Sequence, residues 1–365
     1  YHCPSELMAS CIDDMLKKKV TSMDELQIST FFNNMHVLFK QLTDKDMFLL
    51  YHRQHMAHRI LDKRGDALME LLEHEKTFIS LLKGTMGSNF TSHCETMIRD
   101  VNKHDEKEFN SIWSNSKNRK RCIVEQFDTT IIQPGAWPTL PLYDVHLPKS
   151  LEQAIHVFEN FYRAKESSKR LNWAFSCGTA KVKVNFDDTR CKMIEGLNTM
   201  QLFVLMLFND MDSLSMEDIG SKLNLDKNTV KRITHPLFFE KTKRPILKKK
   251  DDMLTFNQKL VKYPKKRLNY PTPIYSDHKV RTNVHKNRKF AVDAAVVRIM
   301  KSRKLLGHPQ LIGEVLKQLT NFKPDIKLIK GRIEDLVERE FLERCNSNED
   351  EVDGAFQGRG YRYLA

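Results

Sequence analysis

The sequence predicts a mainly α chain with an α/β middle, and three observations carry that prediction. Residues 1–118 show apolar stripes at i, i+3/i+4 spacing with almost no glycine or proline. Between 119 and 186 the composition turns to β-formers and turn residues. Two later stretches, 198–257 and 286–365, each run through three helix candidates and then two strand candidates. The length of 365 residues and the 40% apolar content fit two or three domains with ordinary cores.

In order along the chain, 5–18 carries Leu7, Met8, Cys11, Ile12, Met15 and Leu16 on one helical stripe. From Asp24, a second stripe holds Leu26, Ile28, Phe31, Phe32, Met35, Leu38 and Phe39. Asp44 is placed to cap a third helix with Met47, Leu50, Tyr51, Met56, Ile60 and Leu61. Stretches 67–83 and 92–116 continue in the same style, so 1–118 reads as a helical bundle whose stripes are core. The β-rich run 122–132 predicts a strand, broken by Pro134-Gly135-Ala136-Trp137-Pro138. A helix over 148–163 follows. Strands are expected at 171–175 and 181–186, the second with Val182 and Val184 alternating against Lys181, Lys183 and Asn185.

Within the middle domain, 119–285, helices at 200–208, 215–223 and 226–237 precede strand candidates at 246–249 and 253–256. Three helices and a two-stranded wing make a winged helix, with Ser215 and Asp226 as N-caps. A basic linker with Pro264, Pro271 and Pro273 leads to 286. The last domain, 286–365, repeats the pattern with helices at 287–304, 309–319 and 324–340. Its wing strands, 341–345 and 360–364, are separated by a polar loop, 346–358, expected to be mobile.

Composition excludes several function classes. No run of 18 apolar residues exists, and the start, Tyr-His-Cys-Pro, lacks a charged-then-apolar leader, so neither a membrane span nor a signal peptide is read. The missing initial methionine suggests an N-terminal truncation. Seven dispersed cysteines form no C-x-x-C pair or zinc-ligand set, which fits reduced thiols in cytoplasm or nucleus and no metal or cofactor held by this chain. His93, His104 and His308 have no partners at catalytic spacing, and no glycine-rich phosphate loop is present, so no enzyme constellation emerges.

A net charge of +13 implies an acidic partner: nucleic acid, membrane surface or an acidic protein segment. Lys248, Lys249 and Lys250, with Lys265, Lys266 and Arg267, are the densest basic surface candidates. Winged helices often bind DNA through the third helix. In the last domain that helix carries Glu334, Asp335, Glu338 and Glu340, which argues against groove insertion. The first winged helix is more basic there, with Lys227, Lys231 and Arg232. Over 290–301, Phe290, Ala294, Val297 and Met300 are expected on one helix face, and Arg298, Lys301 and Lys304 on another. Taken alone, that second face is a solvated basic stripe.

An ordered set of motifs changes this reading. It comprises Asp44-Lys45-Asp46-Met47-Phe48 through His55–Leu61, Phe90-Thr91-Ser92 with Met97-Ile98-Arg99-Asp100, and Gly135-Ala136-Trp137-Pro138. It continues with Phe161-Tyr162 to Leu171-Asn172-Trp173, then Val296-Val297-Arg298-Ile299-Met300-Lys301, Val337 to Arg344, and a Tyr361-x-Tyr363-x-Ala365 end. Together, over essentially the whole chain, these resemble the C-terminal half of the cullins.

The resemblance implies a non-catalytic scaffold subunit of a ubiquitin ligase complex. It would bind a RING-box zinc protein, whose strand inserts into the middle sheet near Ile123, Phe127, Trp137 and Trp173. It would position a ubiquitin-conjugating enzyme and carry an isopeptide-linked ubiquitin-like modifier on Lys301. Arg298 flanks that acceptor, and Lys304 is the substitute. The modifier's conjugating enzyme, deconjugating and adaptor-exchange factors, and substrate adaptors held through a missing N-terminal region are the further partners implied. Asn287 stands where the family usually has an acid, and the loop 346–358 is longer than usual. The alternative reading is a winged-helix protein that binds nucleic acid.

Overall fold

The structure, a computed structural model, describes residues 3–19, 22–101, 109, 111–114, 124–187, 190–239, 245–270, 280–346 and 359–364. By their contacts the residues form two compact units: 1–59, 73–92 and 276–365 make one, and 60–72 with 93–275 the other.

In the first unit, helix Pro4–Asp14 opens with proline, whose missing N–H needs no partner there, and runs on into a π-turn at Met15–Lys19. Helix Glu25–Gln41 begins with a reciprocal cap: Gln27 N–H donates to Asp24 Oδ1 at 2.7 Å and Asp24 N–H to Gln27 Oε1 at 3.1 Å. Helices Lys45–Asp62, Asp66–Met86 and Ser88–Val101 follow. Phe32, Phe39, Phe48 and Phe78 form an aromatic core, with ring centroids of Phe32–Phe78 and Phe39–Phe48 5.3 and 5.2 Å apart.

A charged cluster lies inside this apolar surround. Arg59, 1% exposed, donates to Asp13 at 2.6 Å and to Glu75 at 2.8 and 2.5 Å. His52 is fully buried with Nε2 3.5 Å from Glu75. Burial works to raise the Asp13 and Glu75 carboxyls, but hydrogen bonds and charge from Arg59 and the neighbouring histidines win and hold both below the usual carboxylate range. Burial pushes His52 below its ordinary value, which the Glu75 carboxylate does not offset.

The C-terminal residues of this unit form the last winged helix. Helices Val280–Arg303, His308–Gln318 and Ile326–Glu338 close over Val292, Val296, Ile299, Met300, Leu311, Val315, Ile329 and Ile333. Its antiparallel sheet has the order Leu305–Gly307, Arg359–Tyr363, Leu342–Asn346. Two of these strands match the expected wing, while Leu305–Gly307 is too short to show in the sequence. The first helix begins seven residues before the expected 287, because 280–286 carries too few apolar positions to show a period. Of the expected loop, 347–358 lies outside the described residues.

In the second unit, Thr179–Asn185 pairs antiparallel with Cys191–Asn198, which pairs in parallel with Arg267–Asn269. At Gly196, φ is +77° and an added Cβ would lie 2.2 Å from the Tyr270 carbonyl oxygen, so only glycine fits this crossing. The first winged helix has the expected three helices, Thr199–Met206, Met216–Leu223 and Lys227–Phe238, with Asn198, Ser215 and Asp226 as caps. Its sheet, ordered Ser213–Ser215, Met253–Phe256, Leu247–Lys250, adds one short strand to the expected two.

Three expectations are corrected. No strand forms over the described part of 122–132, residues 124–132. None forms at 171–175, where Phe175 instead opens a 3₁₀ turn, Phe175–Cys177. The basic linker carries a 3₁₀ turn, Gln258–Lys262, and the strand Arg267–Asn269. β-propensity marks extended backbone, but a strand also needs a hydrogen-bonding neighbour. Cys191–Asn198 accepted other neighbours.

Removing the buried guanidinium would strand two carboxylates, so Arg59→Met is expected to cost about 3–5 kcal/mol in urea unfolding. Acid should destabilise in two windows. The unfolded chain takes up the His52 proton first, so that stability is lost as pH falls below about 6.5. Asp13 and Glu75 contribute above about pH 4 and lose it below. His52→Phe should remove the upper window alone, read as urea midpoint against pH.

Candidate functional site

The helix Val280–Arg303 separates its residues by the core it closes. Val292, Ala295, Val296, Ile299 and Met300 are buried, whereas Phe290 is 58% exposed and Ala294, Arg298 and Lys301 are exposed. Met300 therefore does not share a face with Phe290 and Ala294; it points into the core. Lys301 instead shares the open face with Phe290, Ala294 and Arg298, a correction set by the rotation that buries Val296 and Met300.

The end of the helix is built by Lys304. Its φ is +66°, its N–H donates to the Met300 carbonyl at 2.8 Å, and its carbonyl accepts from Tyr363 N–H at 2.9 Å. The Lys304 ammonium lies 5.1 Å from the Tyr363 ring centroid. Tyr361 bonds His308 Nδ1 at 2.9 Å, and burial pushes its phenol up. The aromatic end of the chain thus holds the helix stop next to Lys301.

The charges of this helix fall into two sets. Arg288 donates to Asp46 and Asp44, each contact 2.7 Å, and lies 4.8 Å from the Phe322 ring centroid. Asp46 N–H also donates to the Asn321 carbonyl at 3.1 Å. Asp293 accepts from Arg332 at 2.6 Å, and Arg303 lies 3.4 Å from Glu314. Lys286, Lys289, Arg298 and Lys301 have no acidic partner among the described residues. The pairing of Arg288 with Asp44 and Asp46 was not readable from sequence, since it joins positions more than 240 residues apart.

In the other unit, Ile123 lies outside the described residues. Phe127 and Trp173 are brought together, half-buried, with centroids 6.2 Å apart. They join an aromatic cluster with Phe109, Trp113, Phe158 and Tyr162, and Trp173 Nε1–H donates to Glu159 at 2.9 Å. Trp137 is 3% exposed and apart from that cluster's membership. Its Nε1–H donates to Asp100 at 3.0 Å, and the same carboxylate accepts from Gln133 N–H and Nε2–H, both 3.0 Å. Asp100 therefore clasps the Gly-Ala-Trp-Pro segment, a role its place in the sequence did not suggest. Residues 124–133 take no regular secondary structure, with Val124, Phe127 and Ile131 against the aromatic cluster, and make no strand pairing among the described residues. Thr179–Asn185 is the edge of its sheet and has no fully buried residue.

The six basic candidates are all exposed. Lys248, Lys249 and Lys250 are on an edge strand of the first winged helix, and Arg267 on an edge strand of the other sheet, with Lys265 and Lys266 just before it. Lys249 lies over Phe238, 5.7 Å from the ring centroid. Among the described residues no cluster of three His, Cys, Asp or Glu could hold a metal ion, and no helix is long and apolar enough to cross a membrane.

Replacing Asp100 with alanine would leave the buried Trp137 indole N–H unpaired. A stability loss of about 1–3 kcal/mol is expected, measured by urea unfolding followed through tryptophan fluorescence.

Three family models match this chain: a cullin alpha solenoid domain over 2–107, a cullin alpha+beta domain over 131–266, and a cullin protein neddylation domain over 287–348. Cullin-1 of Oryza sativa subsp. japonica is 34% identical over 99% of this chain and 48% of its own length. Cullin-2 of Arabidopsis thaliana is 33% identical over 94% of this chain and 47% of its own. Cullin-3A of the same plant is 31% identical over 99% and 49%. The chain thus spans about half the length of these relatives. Lys301, without an acidic partner among the described residues, lies near the end of its helix inside the segment matched by the neddylation domain, and the clasped tryptophan and aromatic cluster fall within or beside the alpha+beta domain. The chain belongs to the cullin family.

Proposed function

We propose that this chain is the non-catalytic scaffold of a RING-type ubiquitin ligase complex and that Lys301 is its site of covalent regulation. One observation carries the reading: Lys301 is exposed and has no acidic partner among the described residues, near the end of a helix fixed by its core and its Tyr363-supported stop. The Lys301 ε-amine attacks the carbonyl carbon of a thioester that joins a ubiquitin-like modifier to a conjugating enzyme's cysteine. The C–N bond forms, the C–S bond breaks, and the cysteine leaves as a thiol after taking up the amine proton. On an exposed helix the rate comes mainly from delivery of the thioester to within bonding range.

The segment 124–133 and the edge strand Thr179–Asn185 support a RING-protein strand as the second partner. Both offer backbone hydrogen-bonding groups, and the first holds β-forming side chains without a strand neighbour. Phe127 and Trp173 lie beside that segment as anchors, whereas Trp137 serves through Asp100 to fix its end. The RING protein brings its own zinc and the ubiquitin-conjugating enzyme, and basic strands such as Leu247–Lys250 speed the encounter with an acidic partner. Substrate adaptors, deconjugating and exchange factors, and a cytoplasmic and nuclear location belong to the same proposal.

Linkage at Lys301 acts by shifting the last winged helix from a docked to a released state. Arg288, held by Asp44, Asp46 and Phe322, is the latch of the docked state.

Incubation with the modifier's conjugation enzymes should add one modifier mass to the intact chain. Lys301→Arg should slow this by about tenfold or more, with any residue of product mapping to Lys304. Unchanged modification of Lys301→Arg would refute the assignment. Arg288→Ala should weaken docking by about 1–3 kcal/mol, roughly 5- to 150-fold in the docked-to-released ratio, read as faster amide exchange over 45–52 and 284–290.

A further inference from the structure

The open face of the acceptor helix extends well beyond Lys301. At about 100° per residue, Phe290, Ala294, Val297 and Arg298 all lie within roughly 60° of Lys301, and the stripe runs about 16 Å along the axis. Phe290 is 58% exposed, Ala294 is exposed and Val297 half-buried. An isolated exposed apolar residue needs no explanation. Here two exposed apolar residues, Phe290 and Ala294, and the half-buried Val297 form a line that ends at Lys301.

Geometry decides what must cover that line. At transfer the thioester carbon has to come within about 3–3.5 Å of the Lys301 nitrogen. A folded enzyme domain that achieves this is wider than one lysine, so it must also lie over surface beside it. On the C-terminal side Lys304 lies over Tyr363 and Arg303 is paired with Glu314, so that flank is charged. The inner side is the core of Val296, Ile299 and Met300. Among the described residues, the stripe toward Phe290 is the exposed apolar flank.

We infer that Phe290, Ala294 and Val297 form the docking track for the enzyme that carries the modifier as a thioester. Phe290 is the anchor, large and rigid enough to fill a pocket on the partner. Ala294 allows close approach. Lys286, Lys289 and Arg298 border the track without acidic partners among the described residues, so the matching surface is an apolar ridge edged by carboxylates. These are positioning residues; the bond is still made by Lys301. The inference rests on Lys301 being the acceptor.

The test is single-turnover transfer from the preformed thioester to the full chain bound to its RING partner, with chain concentration varied. Phe290→Ser and Ala294→Glu should raise the half-saturating concentration about tenfold or more while leaving the rate at saturation near wild type. Phe290→Leu should restore most of the loss. Arg298→Glu should weaken transfer and flatten its salt dependence. Discharge of the thioester to free lysine, and thermal melting of each variant, should not change. Half-saturation equal to wild type in both Phe290→Ser and Ala294→Glu overturns the inference alone. Wild-type chain with no linkage at Lys301 by peptide mapping overturns the acceptor reading and the inference with it.

Discussion

Burial of Val292, Val296, Ile299 and Met300 fixes the rotation of the helix Val280–Arg303 about its own axis, and the surface of the last winged helix follows from that rotation. A helix turns about 100° per residue, so a residue next to Met300 in sequence cannot share its inward direction. Lys301 is thrown outward by the same packing that draws Met300 in. Asp293 is placed to meet Arg332, and Arg288 comes round to Asp44 and Asp46. A polar substitution at Val296 would therefore disturb Lys301 without touching it, since the core decides where the amine points.

Polar contacts then lock what apolar burial has oriented. The Arg59 cluster joins three helices through one guanidinium, and the Asp100 carboxylate gathers three donors from the segment 133–137. A buried ion pair adds little net stability compared with an apolar filling, but it tolerates few alternative arrangements. In both places the charge specifies register more than it stabilises. Arg288 differs: it is partly solvated and held by carboxylates plus a ring face. Such a contact is strong enough to favour one arrangement and weak enough to be displaced.

Much of this was legible from sequence where local periodicity and capping chemistry decide the outcome. The stripes of the first helices, the Ser215 and Asp226 caps, and the hairpin Leu247–Lys250 with Met253–Phe256 all follow from neighbours within a few positions. Pairing between distant segments was not legible. Residues 124–132 and 171–175 have strand composition but join no ladder among the described residues, whereas Cys191–Asn198 has a neighbour on each side. Arg267–Asn269 looked like linker because three residues cannot display a period. The site divides in the same way. The helix that carries Lys301 could be read from its motif, whereas the contacts of Arg288 with Asp44 and Asp46 and the clasp at Asp100 depend on partners chosen by the fold.

The third helix of the last winged helix shows why composition misleads about surface. Glu334, Asp335, Glu338 and Glu340 suggested an acidic face opposed to phosphate. Glu334 is instead paired with Arg344, and Asp335 with Arg332 and Arg339. Those two acids are neutralised inside the domain, at the C-terminal half of the helix. At the N-terminal end Lys323, Lys327 and Lys330 are exposed, without an acidic partner among the described residues. An approaching partner meets the charge left after such pairing, not the charge counted along the chain. The same subtraction separates Lys301 and Arg298 from Arg288 and Arg303 on a helix where all four carry the same sign. Two of them are committed to the fold, and two are left without an acidic contact among the described residues.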